Sequence, residues 1–249
     1  MSERTEAAQI LADQSDLSLS VAQIQRLLQF GDLVMEGNRR LNLTGQLDWP
    51  TFVYKHLLDS LSILPFVGDL RGKVLDVGTG AGFPGIPLAI VRPNWQLTLL
   101  DSLHKRVEFL ETACEQLKLV VELIWSRAED FGQKPESRER YELVTSRAVA
   151  KLPVLVELCL PLVSQGGLMI AYKGPEVEAE LAEADYALEL LGGELLATPK
   201  LALPGDYGTR HLVVIRKRRP TPASYPRRAG IPGKKPLLAR QEPAKKKRT

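Results

Sequence analysis

Apolar positions along the chain change rhythm near residue 70. Between Ser20 and Met35, the residues Val21, Ile24, Leu27, Leu28, Val34 and Met35 recur at an approximate helical period, and Ser20 supplies an N-cap. A second helix is predicted from Asp48, with Pro50 at an early helical position and Phe52, Val53, Leu57, Leu58 and Leu61 on one face. Residues 18–66 therefore read as a small helical subdomain behind a polar, flexible stretch over 1–17. Beyond it, short β-branched or leucine-rich runs alternate with longer helical patterns. Strands are predicted at 73–77, 97–101, 120–125, 141–146, 167–172, about 194–199 and 211–216, with helices near 84–92, 103–118, 150–163 and 176–191. This alternation predicts an α/β domain over 67–217, built on a doubly wound, mostly parallel sheet of seven strands. Only the turn-rich PGDYGT separates the last two runs, so they are expected to pair antiparallel as a closing hairpin.

The first predicted strand runs into DVGTGAGFPG at 76–85, which contains G-x-G-x-x-G from Gly80. In a parallel sheet, the turn after such a strand borders the ligand crevice, and the following helix start presents free N–H groups to an anion. The second strand ends in Asp101, about twenty residues on, where a carboxylate accepts hydrogen bonds from ribose hydroxyls. Both nicotinamide dinucleotides and S-adenosylmethionine carry a ribose, so these features leave the two open. Asp76 tilts the choice, because an added anion is unwelcome beside a pyrophosphate but tolerable beside an ammonium and a sulfonium. It reads equally as a structural carboxylate capping the glycine turn.

Composition narrows the compartment and the partners. No apolar run is long enough to span a bilayer, and the polar N-terminus does not resemble a secretory signal. Cys114 and Cys159 lie far apart without a metal-ligand neighbour, which points to reduced thiols in a cytoplasmic protein, no metal site, and no glycosylation at Asn42. Charge is split along the chain: residues 216–249 carry +12, whereas the first 215 sum to −9. The tail over 218–249 is rich in proline and basic residues and poor in large apolar ones, so it is expected to be disordered. Its basic blocks would be drawn to a polyanion by counterion release, or would serve only as a solubilising appendage.

Taken in order, NLTGQ, HLLDSL at 56–61, VLDVGTGAGFPGIPLAIVRP at 74–93, LLDSLHKRVEFL at 99–110, SRAED at 126–130, TSRAVA at 145–150, YKGP at 172–175 and RHLVVIRK at 210–217 resemble the bacterial ribosomal RNA small subunit methyltransferase G family. That family is also called glucose-inhibited division protein B. The resemblance implies a Rossmann-like class I S-adenosylmethionine-dependent methyltransferase fold. It also implies methylation of guanine N7 in a decoding-region loop of 16S rRNA, with S-adenosyl-L-methionine as co-substrate. By motif, Gly78 and its loop would approach the methionine part, with Phe83 as an apolar contact where leucine is common in relatives. Asp101, Ser102 and Leu103 would hold the ribose and border the adenine, Ala128 and Glu129 would contact the base, and Arg147 would lie at the reactive side. Family members are expected to end near RHLVVIRK, which makes the tail from Arg218 an extension.

Guanine N7 carries an in-plane lone pair, so transfer needs alignment and electrostatics rather than a general base. Of the three histidines, His56, His104 and His211, the first and last lie in the family-like motifs and read as structural hydrogen-bonding residues. Arg147, Lys173 and Arg210 are the positioning candidates, each set against the alternative of plain ion pairing. A monomer acting on 16S rRNA or a small-subunit particle is expected, with the tail binding RNA. A methyltransferase for a small molecule or protein, and a non-catalytic nucleotide-binding regulator, remain the competing readings.

Overall fold

The computed structural model describes residues 2–45, 47–203 and 207–239. Helix α1 (Glu3–Ala12) is capped by Ser2 and lays Ala7 and Leu11 against α2 (Val21–Leu41). The expectation of a flexible stretch over 1–17 is thus corrected. The segment is polar on average, yet Ala7 and Leu11 stand four residues apart and share one helical face. Arg4 adds an ion pair to Asp32 at 3.1 Å. Ser20 caps α2 reciprocally: its Oγ accepts from the Gln23 N–H at 3.2 Å, and the Gln23 side chain accepts from the Ser20 N–H at 2.9 Å. Asp48 caps the next helix, α3, through the Thr51 N–H at 2.8 Å. α3 runs through Trp49–Thr51, the wider π-helical turns of Phe52–Leu58, and Asp59–Leu61, and the short α4 (Leu64–Val67) follows.

The sheet comprises β1 (Gly72–Val77), β2 (Trp95–Asp101), β3 (Glu122–Trp125), β4 (Tyr141–Arg147), β5 (Val163–Lys173), β6 (Gly193–Ala197), β7 (Lys200–Ala202) and β8 (Thr209–Lys217). Its order is β3-β2-β1-β4-β5-β8-β6, with β7 also paired to β8. β1 to β5 are mutually parallel, and β8 lies antiparallel between β5 and β6. The expected closing hairpin is therefore present, but the sheet has eight strands among the described residues rather than seven. The run predicted near 194–199 ends at Ala197, and a separate β7 begins after Pro199, which has no N–H to give to a ladder.

Side chains alternate between the two faces of the sheet. Val74, Leu97, Leu99, Leu143 and Ile170 join one core with the helical subdomain, α5 (Gly85–Val91) and α6 (His104–Gln116). Leu75, Val77, Leu100, Val144 and Met169 face the other, beneath α7 (Ala128–Gly132), α8 (Leu152–Cys159) and α9 (Val177–Leu191). Strand order reverses between β1 and β4, which opens a crevice at the carboxyl ends of the strands.

After β8 the chain turns back along the domain, and the expectation of disorder from residue 218 is corrected as far as residue 239. Leu237, Pro226 and Pro232 are buried there with Tyr225 packed beside them, and bonds to backbone carbonyls and buried ion pairs add to that hold. Arg138 donates to the carbonyls of Thr221, Pro222 and Tyr225 at 2.8, 3.1 and 2.6 Å. Buried Lys217 donates to the Leu160 carbonyl at 2.6 Å and pairs with Glu139 at 3.1 Å. Arg227 grips the fully buried Glu157 of α8 with Nε at 2.8 Å and Nη2 at 2.6 Å. A last short helix, α10 (Ile231–Lys234), precedes the end of the described residues. The basic block at 245–248 lies outside them.

Candidate active site

The glycine turn after β1 is held from two sides. Gly78 and Thr79 donate to the Leu100 carbonyl at 2.8 and 3.1 Å, and Gly80 donates to the Asp101 carboxylate at 2.9 Å. Gly78 has φ +69°, and a Cβ there would stand 2.4 Å from Cγ2 of Val149, so only glycine lets β1 turn beneath the β4–α8 loop. Asp101 also accepts from the Leu103 N–H at 2.9 Å and from Arg106 at 3.4 Å. A carboxylate offers about four lone-pair sites, so it keeps acceptor capacity for a further donor.

Between these turns lies a cavity of about 330 Å³, lined by Gly78, Asp101, Ser102, Ala128 and Glu129 among others. Five of the predicted cofactor residues thus meet around one space. Leu103 is half-exposed beside it; its main chain, bonded to Asp101, fixes the rim. A larger cavity of about 620 Å³ lies around Lys73, Pro93 and Trp95 at the amino ends of the strands, away from these residues.

Phe83 and Arg147 are grouped separately. Phe83 is buried, 4.7 Å between centroids from the His56 ring, and the Arg147 guanidinium lies 4.9 Å above it. Arg147 donates to the Asp59 carboxylate at 2.9 Å, the Lys55 carbonyl at 3.0 Å and His56 Nδ1 at 3.0 Å. Arg210, on β8, donates to the other oxygen of Asp59 at 2.7 Å. The end of α3, from Lys55 to Asp59, therefore presents a polar edge that clamps the helical subdomain to β4 and β8. Burial, with the charges of Arg147, Lys55 and Arg210, pushes the His56 pKa down to about 3, so its ring is neutral and Nδ1 accepts.

Two sequence readings change. Lys173 is buried, donating to the Ala150 carbonyl at 3.0 Å and pairing with Glu180 at 2.5 Å, so it braces the β4–α8 loop instead of facing a substrate. Asp76 does not line the cavity. Its Oδ2 accepts from the Gly85 N–H at 3.0 Å and its Oδ1 from Thr145 at 3.1 Å, which is the structural reading. Burial raises the Asp76 pKa to about 6 against these hydrogen bonds. Asp59 is the site residue that the pattern missed. Its signal was a lone acid among Leu57, Leu58 and Leu61, because a carboxylate on an apolar face demands a cation.

The family model for rRNA small subunit methyltransferase G matches residues 23–213. Curated relatives named ribosomal RNA small subunit methyltransferase G include one from Symbiobacterium thermophilum, 49% identical over 86% of this chain and 90% of its own. Another, from Alkaliphilus oremlandii, is 46% identical over 89% of this chain and 94% of its own. A third, from Desulforamulus reducens, is 47% identical over 91% of this chain and 95% of its own. A match over that share of 249 residues extends past Lys217, which corrects the expectation that relatives end near RHLVVIRK. Among solved structures, M. jannaschii TYW2 in complex with AdoMet shares the fold at 16% identity and a TM-score of 0.50, covering 66% of this chain and 76% of that one. The expected Rossmann-like class I methyltransferase fold is the fold observed. With the family pattern running from the helical subdomain through β8, the chain belongs to the rRNA small subunit methyltransferase G family.

Proposed function

We propose that this protein transfers the methyl group of S-adenosylmethionine to N7 of a guanine in the decoding-region loop of 16S rRNA, acting as a cytoplasmic monomer on the rRNA or on a small-subunit particle. The carrying observation is the family match over residues 23–213, which takes in the Arg147 cluster and every residue lining the cavity except Gly230 and Gly233. The residues present fit the donor. The cavity is of ordinary ligand size, Asp101 can accept from ribose hydroxyls, and Gly78 brings the turn of β1 to the cavity's edge. Ala128 and Glu129 would border the adenine with Ser102 and Leu103, and Gly78 the methionine part. When bound, S-adenosylmethionine supplies an electrophilic methyl carbon on sulfonium sulfur.

The protein's own contribution is alignment and charge. Guanine N7 attacks with a lone pair already in the ring plane, so no side chain need take a proton first. Arg147, fixed by Asp59, His56 and the Phe83 face, acts as a rigid boundary on the reactive side, and Arg210 positions it through Asp59. In an RNA helix N7 faces a deep, narrow groove, so the target must sit in a loop or be exposed. The basic residues beyond 239 add sequence-independent attraction to the phosphate backbone.

The test is to map methylated bases in 16S rRNA from cells with and without the gene. Loss of an N7-methylguanine in the decoding region, restored by the intact protein, is expected. A modification that persists unchanged would overturn the assignment and favour a small-molecule or protein substrate.

A further inference from the structure

The cavity that brings together Gly78, Asp101 and Glu129 has a wall that none of the site motifs supplies. Gly230 and Gly233, from the segment after β8, line it together with the glycine turn. Gly230 donates its N–H to Oε1 of buried Glu129 at 2.8 Å, so the segment bonds directly to a residue expected to border the adenine. One arginine ties both ends of the turn. Arg227 places its main-chain N–H and side chain on Glu157, and its Nη2 also donates to the Lys235 carbonyl at 2.8 Å. Upstream, Arg138 holds the carbonyls of 221–225, and Pro226 packs on Gly132 at the end of α7. Both glycines border open space: a Cβ at either would meet no atom within 4 Å. A flat ring could therefore approach the backbone there, and Gly230 at φ +80° adopts a conformation that few other residues accept.

We infer that residues 227–235 are a functional wall of the methyl-donor cleft, closing its adenine side over Ala128 and Glu129. Besides adding charge for RNA, the C-terminal segment thus helps to bind the cofactor. This rests on the reading that the cleft takes S-adenosylmethionine, and the experiment separates the two.

Amide hydrogen exchange of the full chain is measured with and without saturating S-adenosylhomocysteine, the demethylated donor. Slower exchange is expected at 78–80, at 101–103 and across 228–236, since a bound ligand suppresses local opening of the walls it touches. Protection of the first two stretches with no change across 228–236 overturns the inference while leaving the cleft's assignment intact. Protection at none of the three removes the cofactor reading itself.

A second measurement uses the pair Arg227→Gln with Glu157→Gln, which deletes the buried charges together and leaves two amides able to bond. If it melts cooperatively, its affinity for S-adenosylhomocysteine by calorimetry is expected to fall about tenfold. A folded double variant with unchanged affinity refutes the role of this wall.

Discussion

Asp59 sits under two guanidinium groups with no exposed surface, and the energetics of that arrangement are lopsided. Removing one partner from a buried ionic cluster leaves the others desolvated, which costs more than the intact cluster contributes. Asp59→Asn keeps the shape but leaves Arg147 and Arg210 without a countercharge, so a loss of about 3 kcal/mol in urea unfolding is expected. Loss of less than half that would show that the arginines find water instead. His56 gives a pH signature. The unfolded residue takes up a proton near its ordinary 6.5 and the folded one only near 3, so the unfolded state binds the extra proton and stability falls as pH drops through that window. Relative to His56→Gln, the parent should lose about 2 kcal/mol between pH 7 and pH 5. Comparison with the variant cancels the opposite trend from Asp76, whose raised pKa favours the folded state on acidification. A pH-independent difference would exclude a buried neutral His56. The glycine turn at Gly78 and the strand-end Asp101 were legible because backbone geometry and ribose chemistry constrain residue type locally, whereas Glu129 came from the family resemblance alone. Asp59 was not, because its meaning depends on Arg147 and Arg210, 88 and 151 residues away.

At the level of elements, the turn after β1 is the least forgiving part of the site. Gly78→Ala is expected to abolish cofactor binding, since its methyl would collide with Val149. Adding Val149→Ala removes the collision but leaves the left-handed backbone, which costs about 1–2 kcal/mol for a residue with a Cβ. Calorimetry on the double variant should therefore show only partial recovery, and full recovery would mean that the clash alone enforces glycine. The parallel strands were readable because continuous apolar runs between helical patterns have few other uses. α1 escaped because two buried residues in ten leave almost no periodic signal. The segment over 218–239 escaped for a different reason: composition measures apolar burial, and Arg138, Lys217 and Arg227 hold it with charge and carbonyl bonds.

For the whole molecule, folding of that segment redistributes charge. Residues 1–239 sum to −1, so the body is nearly neutral where the first 215 residues alone are at −9, and residues 240–249 carry the remaining +4. Removing 240–249 should weaken rRNA binding and flatten its dependence on salt, since fewer counterions are released. Affinity for S-adenosylhomocysteine should stay unchanged, because the wall at Gly230 and Gly233 is retained. An unaltered salt slope would remove any role for those ten residues on RNA. The strand order also fixes how the sheet comes together. β6 reaches the sheet only through β8, which is later in the chain yet lies between β5 and β6. Until β8 inserts, β5 is an open edge, β6 has no partner in the sheet, and the segment that follows cannot reach Glu129. The seating of one strand thus completes both the edge and the cleft, which couples the two. Ligand in the cleft is then expected to delay unfolding of an edge it never touches.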